Sequence, residues 1–290
     1  MTDERICFPM AKINLGLNVV RRRPDGYHDL QTVFYPVPIC DTIEIHEMAD
    51  GYPATVDCDL KVSNMALEGD EQQNLVVRAY RLLKEEFPRL PRIHAHLWKN
   101  IPSQAGMGGG SSDGAFMLSL LNQHYQLQLT QQQLLEHATR LGADCPFFIL
   151  QHQSAVEPST VVCPAYAEGI GERLEPISLS LRGWHIVVVK PPVAVSTREA
   201  FSLVTPAVPR RNCRDVTALP VESWRNHLVN DFEKSVFALY PEVEAVKQRL
   251  YELGATYAAM SGSGSAVFGL FHQPVELPAN MGGQVMVREL

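Results

Sequence analysis

The stretch Pro102-Ser103-Gln104-Ala105-Gly106-Met107-Gly108-Gly109-Gly110-Ser111-Ser112-Asp113 gathers more chemistry-bearing residue types than any other part of the chain. Four glycines in five residues let the backbone turn tightly and approach a ligand with no Cβ in the way. The loop lies between a strand pattern and a helix pattern. It therefore presents the helix's unpaired N–H groups and the positive end of its dipole, while Ser111 and Ser112 add hydroxyls. That combination suits a di- or triphosphate. A loop that was merely flexible would have no need to open a buried helix. Two commoner phosphate motifs fail on single residues. A P-loop needs Lys directly before its Ser or Thr, where Gly110 stands, and the dinucleotide fingerprint needs Gly at Ser111. A nicotinamide cofactor is not expected.

Three further constellations stand out. Ser261-Gly262-Ser263-Gly264-Ser265 joins two strand signals; alone it reads as a hairpin turn, and beside the first loop it becomes a second wall for phosphate. Pro24-Asp25-Gly26-Tyr27-His28 is a turn that sets an aromatic ring beside an imidazole. Such a pair suits stacking on a flat base and hydrogen-bonding its edge, although an ordinary exposed turn is an equally good reading of these residues alone. Gly142-Ala143-Asp144-Cys145-Pro146-Phe147-Phe148 sets a lone carboxylate between a helix end and an apolar strand pattern. A carboxylate there calls for a partner or a function, and Lys12 is the candidate partner; together they could hold a substrate hydroxyl for proton removal. His94 and His96 share a strand face but lack further metal ligands nearby, and no G-x-S-x-G elbow supports a serine hydrolase.

The elements that must position these groups follow from periodicity. Ile13, Leu15, Leu17 and Val19 form one face of a strand, with Lys12, Asn14, Gly16 and Asn18 on the other. Residues 42–46, 92–99, 185–190, 256–260 and 265–271 also read as strands. Asn74 caps a helix with the stripe Leu75, Val76, Ala79, Leu82, Leu83 and Phe87. A second helix runs from about Ser112 to Asn122 and is apolar nearly all round. Thr130 and Gln133 make a capping box for a third, which Gly142 ends as its C′ residue. Pro241 opens a helix with Val243, Val246, Leu250 and Leu253 inside and Gly254 beyond its end. Mixed elements without strict βαβ repetition predict an α+β fold. Its domain boundary is expected between Gln151 and Pro164, giving domains of residues 1–160 and 161–290.

A chain of 290 residues can bury a large core, and 46% hydrophobic with 20% charged residues is ordinary globular composition. Its net charge of -7 argues against a duplex-wrapping nucleic-acid protein, whose affinity rests on Lys and Arg. No apolar stretch is long enough to span a membrane, and the start lacks a signal-peptide layout. Six scattered cysteines without a C-x-x-C pair read as reduced, mostly buried residues of a cytoplasmic protein.

Pro9-Met10-Ala11-Lys12-Ile13-Asn14-Leu15, the Gly106–Ser112 loop and Ser261-Gly262-Ser263-Gly264 together resemble, in order, the three motifs of the GHMP kinase superfamily. The Pro24–His28 and Gly142–Pro146 motifs resemble its branch acting on cytidine-diphosphate-linked methylerythritol in non-mevalonate isoprenoid synthesis. The resemblance spans nearly the whole chain and implies two α+β domains with the active site in the cleft between them. It implies transfer of the ATP γ-phosphoryl group to the 2-hydroxyl of that small molecule, with Asp144 as general base and Lys12 orienting the hydroxyl. Asn74, Lys99, Pro102, Ala105, Gly106, Met107, Gly108, Gly109, Gly110, Ser111 and Ser112 would hold ATP, and Ser112 would be a ligand of the accompanying Mg²⁺. Asn14, Tyr27, His28, Thr197, Phe201, Gly262, Ser263 and Gly264 would hold the acceptor, with Tyr27 stacked on cytosine and His28 reading its edge. A monomer or homodimer is expected, with no nucleic-acid or membrane partner. Met107 replaces the usual Leu, Gly114 replaces the usual Ala, and residues 151–163 form a longer connection than usual. Homoserine and mevalonate kinases are the nearest rivals, but their substrates offer no base for Tyr27 and His28. A silent nucleotide-binding regulator would have no chemical need of Lys12 and Asp144.

Overall fold

The computed structural model describes residues 5–53, 55–66, 69–152 and 162–290, arranged as an α+β protein of two compact units. The first unit comprises residues 1–11, 39–103 and 108–161. It holds β1 (Ile6–Cys7), β4 (Thr42–Glu47), β5 (Cys58–Ser63) and β6 (Ile93–Trp98), in the sheet order β1-β4-β6-β5, and, among the described residues, four α-helices. These are α1 (Leu75–Glu86), α2 (Gly109–His124), α3 (Gln131–Leu141) and α4 (Cys145–His152). Strand β6 alternates as expected, with Ile93, Ala95 and Leu97 buried, while Trp98 on its other face stays 46% exposed. Helix α1 carries a side-chain cap, Asn74 Oδ1 accepting from the Val76 N–H at 2.9 Å, and α3 has the Thr130–Gln133 capping box.

The second unit comprises residues 12–38, 104–107 and 162–290. One sheet has the order β2-β3-β7-β8, from β2 (Met10–Arg22), β3 (His28–Cys40), β7 (Ala165–Gly169) and β8 (Arg173–Pro176). The other has β10-β11-β9-β12, from β9 (His185–Lys190), β10 (Tyr257–Met260), β11 (Val267–Phe271) and β12 (Gln284–Glu289). Among the described residues four α-helices accompany them: α5 (Thr197–Ala200), α6 (Cys213–Thr217), α7 (Glu233–Leu239) and α8 (Pro241–Glu252). Val187, Val189, Val243, Val246, Leu250, Ala258, Met260 and Val267 belong to one buried cluster, which explains why α8 keeps its apolar stripe toward β10 and β11.

Several expectations change. Residues 145–148 open α4 instead of a strand; an apolar run of that length carries no periodicity to separate the two states. Helix α2 starts at Gly109, three residues before the expected Ser112, because Gly108 at φ +70° ends the turn and Gly109 and Gly110 already belong to the helix. Gly142 sits at φ 174°, an extended conformation open to any residue, so the end of α3 does not require a left-handed glycine. The polar side of β2 is buried as fully as the apolar one, with Lys12 at 3%, Asn14 at 2% and Asn18 at 5% exposure. Strand pairing also regroups the chain. Residues 12–38 cluster with the second unit, since β3 pairs with β7. Residues 153–161 of the long connection lie outside the described residues.

Candidate active site

In the second unit, Lys12 and Asn14 are fixed by a chain of hydrogen bonds. The Lys12 ammonium donates to Asn14 Oδ1 at 2.6 Å and lies 4.9 Å from the centre of the Phe34 ring. Asn14 Nδ2 donates to Thr32 Oγ1 at 2.8 Å, and the Thr32 hydroxyl donates to the Gly16 carbonyl at 2.6 Å. With Nδ2 committed to Thr32, the amide oxygen is the atom left to face Lys12, so Thr32 sets the orientation of Asn14.

The second glycine cluster is indeed the hairpin turn between β10 and β11, and it also buttresses the first loop. Ser265 and Ala266 N–H groups donate to the Gln104 and Ala105 carbonyls, both at 3.2 Å. Ser261 Oγ donates to the Gly106 carbonyl at 2.9 Å and accepts from the Asn14 N–H at 3.2 Å. The Lys12 N–H donates to the Met107 carbonyl at 3.0 Å. Gly106 has φ +71°, and a Cβ there would lie 1.9 Å from the Ser261 carbonyl oxygen. A Cβ on Gly262 would meet the Gly106 carbonyl at 3.1 Å and Asn14 Oδ1 at 3.2 Å. Asn230 Nδ2 donates to the Met260 and Gly262 carbonyls, each at 2.8 Å. Ser263 and Gly264 complete the turn, with Gly264 at φ +89°.

The Pro24–His28 turn is held by the Asp25 carboxylate accepting from the Tyr27 N–H at 3.0 Å. Tyr27 is 61% exposed. His28 stacks on Phe201, ring centroids 4.4 Å apart and 21° from parallel. Thr197 is exposed at the first position of α5. The neighbouring arginines are partly engaged, Arg21 with Asp29 and Arg23 with Asp25.

In the first unit, Gly108 caps α2 without a side-chain hydrogen bond, so the first N–H groups of that helix have no capping oxygen. Gly110 is exposed, and nothing lies within 4 Å of a Cβ built on it. Ser112 is buried, and its hydroxyl has no hydrogen-bond partner. Ser111 hydrogen-bonds the Cys145 thiol, whose pKa burial pushes up to about 12. Pro102 is buried where the loop begins. Asp144 is half-buried in the turn directly before α4. Asn74 is the cap of α1.

Lys99 is enclosed by acidic partners. Its side chain is 3% exposed, and its ammonium is paired with two carboxylates, Asp41 and, at 2.8 Å, Asp113. Burial acts against its charge, yet the two carboxylates raise its pKa. Burial, together with the negative Asp41, raises Asp113 above the usual carboxylate range, because one ammonium cannot neutralise two buried carboxylates. Sequence reasoning gives no role to Asp41, Thr32 and Asn230, and none to Asp113 beyond its place at the end of the glycine stretch. An Asp inside an otherwise apolar helix was the available signal for Asp113. Asp41 and Asn230 reveal their roles only through contacts made far along the chain.

Family models for "GHMP kinases N terminal domain" and "GHMP kinases C terminal" match residues 74–152 and 217–279, so the fold and loops are those of a GHMP kinase. The chain belongs within that class to the 4-diphosphocytidyl-2-C-methyl-D-erythritol kinase family. It is 51% identical over 266 residues to the Bacteroides fragilis kinase of that name, covering 92% of both chains. It is 49% identical over 273 residues to the Bacteroides thetaiotaomicron one, covering 94% of both. A crystal structure of 4-(cytidine 5'-diphospho)-2C-methyl-D-erythritol kinase matches with a TM-score of 0.75 at 33% identity, over 91% of this chain and 89% of that one. Methanococcus jannaschii mevalonate kinase shares the fold, with a TM-score of 0.61 at 12% identity over 100% of this chain and 99% of that one.

Proposed function

We infer that this kinase transfers the γ-phosphoryl group of ATP to the 2-hydroxyl of 4-diphosphocytidyl-2-C-methyl-D-erythritol, giving the 2-phosphate and ADP in the non-mevalonate route to isoprenoids. The observation that carries this reading is 51% identity across 92% of a relative of that name. Phosphoryl transfer asks the protein mainly for positioning and charge stabilisation. The uncapped start of α2 offers N–H groups to the ATP phosphates, and the exposed Gly110 leaves room for close approach. Asp144 removes the hydroxyl proton as general base, a contribution of ~10²–10⁴ in rate. Lys12 polarises and orients that hydroxyl, with Asn14 beside it. Tyr27, unburied and unencumbered by packing, stacks on cytosine. His28, its ring set by Phe201, reads the base edge, and Thr197, Gly262, Ser263 and Gly264 complete the acceptor site.

The family's chemistry implies Mg²⁺ with ATP. The buried, unpartnered Ser112 hydroxyl is a hard oxygen donor that fits such an ion, and bound Mg²⁺ would neutralise charge on the phosphates. Among the described residues no group of three His, Cys, Asp or Glu is placed to hold a metal. All six cysteines are thiols, in keeping with a reducing compartment such as the cytoplasm. No helix among the described residues is long and apolar enough to cross a membrane.

Purified protein supplied with ATP, MgCl₂ and 4-diphosphocytidyl-2-C-methyl-D-erythritol should release ADP and form the 2-phosphate. Release with homoserine or mevalonate but not with this acceptor would reassign the substrate. Asp144→Asn should abolish turnover while calorimetry finds ATP affinity nearly unchanged; retained turnover would take Asp144 out of the base role.

A further inference from the structure

The glycine loop is bounded on both sides by contacts to one buried charged cluster in the first unit. Where the chain runs into the loop, Asn100 and Ile101 N–H groups donate to Asp41 Oδ1 at 2.5 and 2.8 Å. Asp41 Oδ2 accepts from Lys99. The same ammonium donates to Asp113 Oδ2 at 2.8 Å, on α2 where the chain leaves the loop. Gly109 and Asp113 are four residues apart, so they share one face of that helix. A Cβ added at Gly109 would lie 3.3 Å from Lys99 Nζ and 2.9 Å from Ile101 Cγ2. Gly109 does not need a positive φ. The cluster beneath accounts for its lack of a side chain, since the ammonium and Ile101 occupy that space. Asp41, Lys99 and Asp113 are 0%, 2% and 2% exposed.

We propose that Asp41, Lys99 and Asp113 form a strut that fixes both ends of the ATP-binding loop, and that Lys99 is a positioning residue which serves ATP without touching it. This rests on the ATP-dependent reading above. The charge arrangement agrees with an indirect role. A lysine placed to attract phosphate would leave its ammonium open to the ligand, whereas this one is enclosed by two carboxylates that cancel its field. Removing Lys99 leaves two buried carboxylates without a cation, and removing Asp113 leaves the ammonium without its link to α2; either change frees the first turn of that helix. Misplacement of catalytic or binding groups by an ångström can cost up to about a hundredfold.

The test is a double-mutant cycle on the full chain, with ATP affinity read by calorimetry in the absence of acceptor, so that a wrong acceptor assignment would leave this measurement untouched. KM for ATP, KM for the acceptor, kcat and a thermal melt are recorded alongside. Lys99→Met and Asp113→Ala should each weaken ATP binding about tenfold or more, leave KM for the acceptor within about twofold, and show no further loss when combined. Asp113→Asn keeps an oxygen for the ammonium and should hold ATP within about threefold of the parent, a rescue that a need for the negative charge would not permit. Normal ATP affinity in Asp113→Ala with loss in Lys99→Met would place Lys99 on the nucleotide and overturn the strut, as would additive losses in the double variant. If the larger substitutions prevent folding, the isosteric Asp113→Asn decides alone: tenfold weaker ATP binding in a folded variant refutes the proposal.

Discussion

Gly106 in the loop and Gly110 in the first turn of α2 stand four residues apart, yet they are glycine for different reasons. At Gly106 the protein itself forbids a side chain. The residue lies at φ +71°, and a Cβ would sit 1.9 Å from the Ser261 carbonyl oxygen. Left-handed backbone costs a non-glycine residue about 1–2 kcal/mol, and displacing the Ser261 turn adds about 1–3 kcal/mol more. At Gly110 no atom comes within 4 Å of a Cβ and the backbone is helical. An alanine there should add helix propensity of about 1 kcal/mol. Gly106→Ala is therefore expected to lower the melting temperature, and Gly110→Ala to keep or raise it while weakening ATP binding. A Gly110→Ala variant with unchanged KM for ATP would show that phosphate does not approach the backbone there. The pair separates what the fold demands of this loop from what its ligand demands.

Helix α2 shows how packing can reverse a propensity argument. Gly114 near its start looks like a weak point, since alanine is the better helix former. In the structure a Cβ at Gly114 would lie 2.9 Å from Leu75 Cβ and 3.3 Å from the Leu75 carbonyl, so the glycine lets α1 and α2 come together. A propensity gain of about 1 kcal/mol competes with overpacking of about 1–3 kcal/mol against the first residue of α1, whose Cβ cannot swing away. Gly114→Ala should thus be net destabilising by about 1 kcal/mol in urea titration; a stabilised variant would show that α1 shifts freely. The same distinction explains what could be read from sequence. Caps, periodic strands and the proline at the head of α8 depend on residues close in the chain, and they were legible. Within the proposed site, the glycine loop stands out by residue type and spacing, whereas Tyr27, His28 and Lys12 are candidates for which local sequence leaves an ordinary structural reading equally open. The stacking of His28 on Phe201 and the burial of Lys99 between Asp41 and Asp113 depend on residues far apart in the chain. Residues 145–148 read as a strand because an apolar run so short lacks the period that separates strand from helix.

At the scale of the whole chain, a net charge of -7 says little about a protein whose ligands are anions, because the binding groups are few and local. The cysteines are more informative. Cys7, Cys58 and Cys145 are buried in the first unit and Cys213 in the second, each 7% exposed or less. Burial raises all four thiols, with Cys58, Cys145 and Cys213 pushed up to about 12. At pH 8 a thiol of that pKa is thiolate in only about one molecule in 10⁴, and thiolate is the reactive form. Cys40 and Cys163 are partly exposed. A maleimide added to the native protein should therefore modify Cys40 and Cys163 first, with the other four protected until the chain opens. Mass spectrometry of labelled peptides across a urea series then reads each unit separately. If the two units open as one, Cys213 should become reactive at the same urea concentration as Cys7, Cys58 and Cys145. Two separated transitions would show that each core is stable alone, and that ATP should protect the thiols of whichever unit binds it. Early modification of Cys145 by itself would instead locate the weak point at the contact between Ser111 and the start of α4, next to the proposed base Asp144.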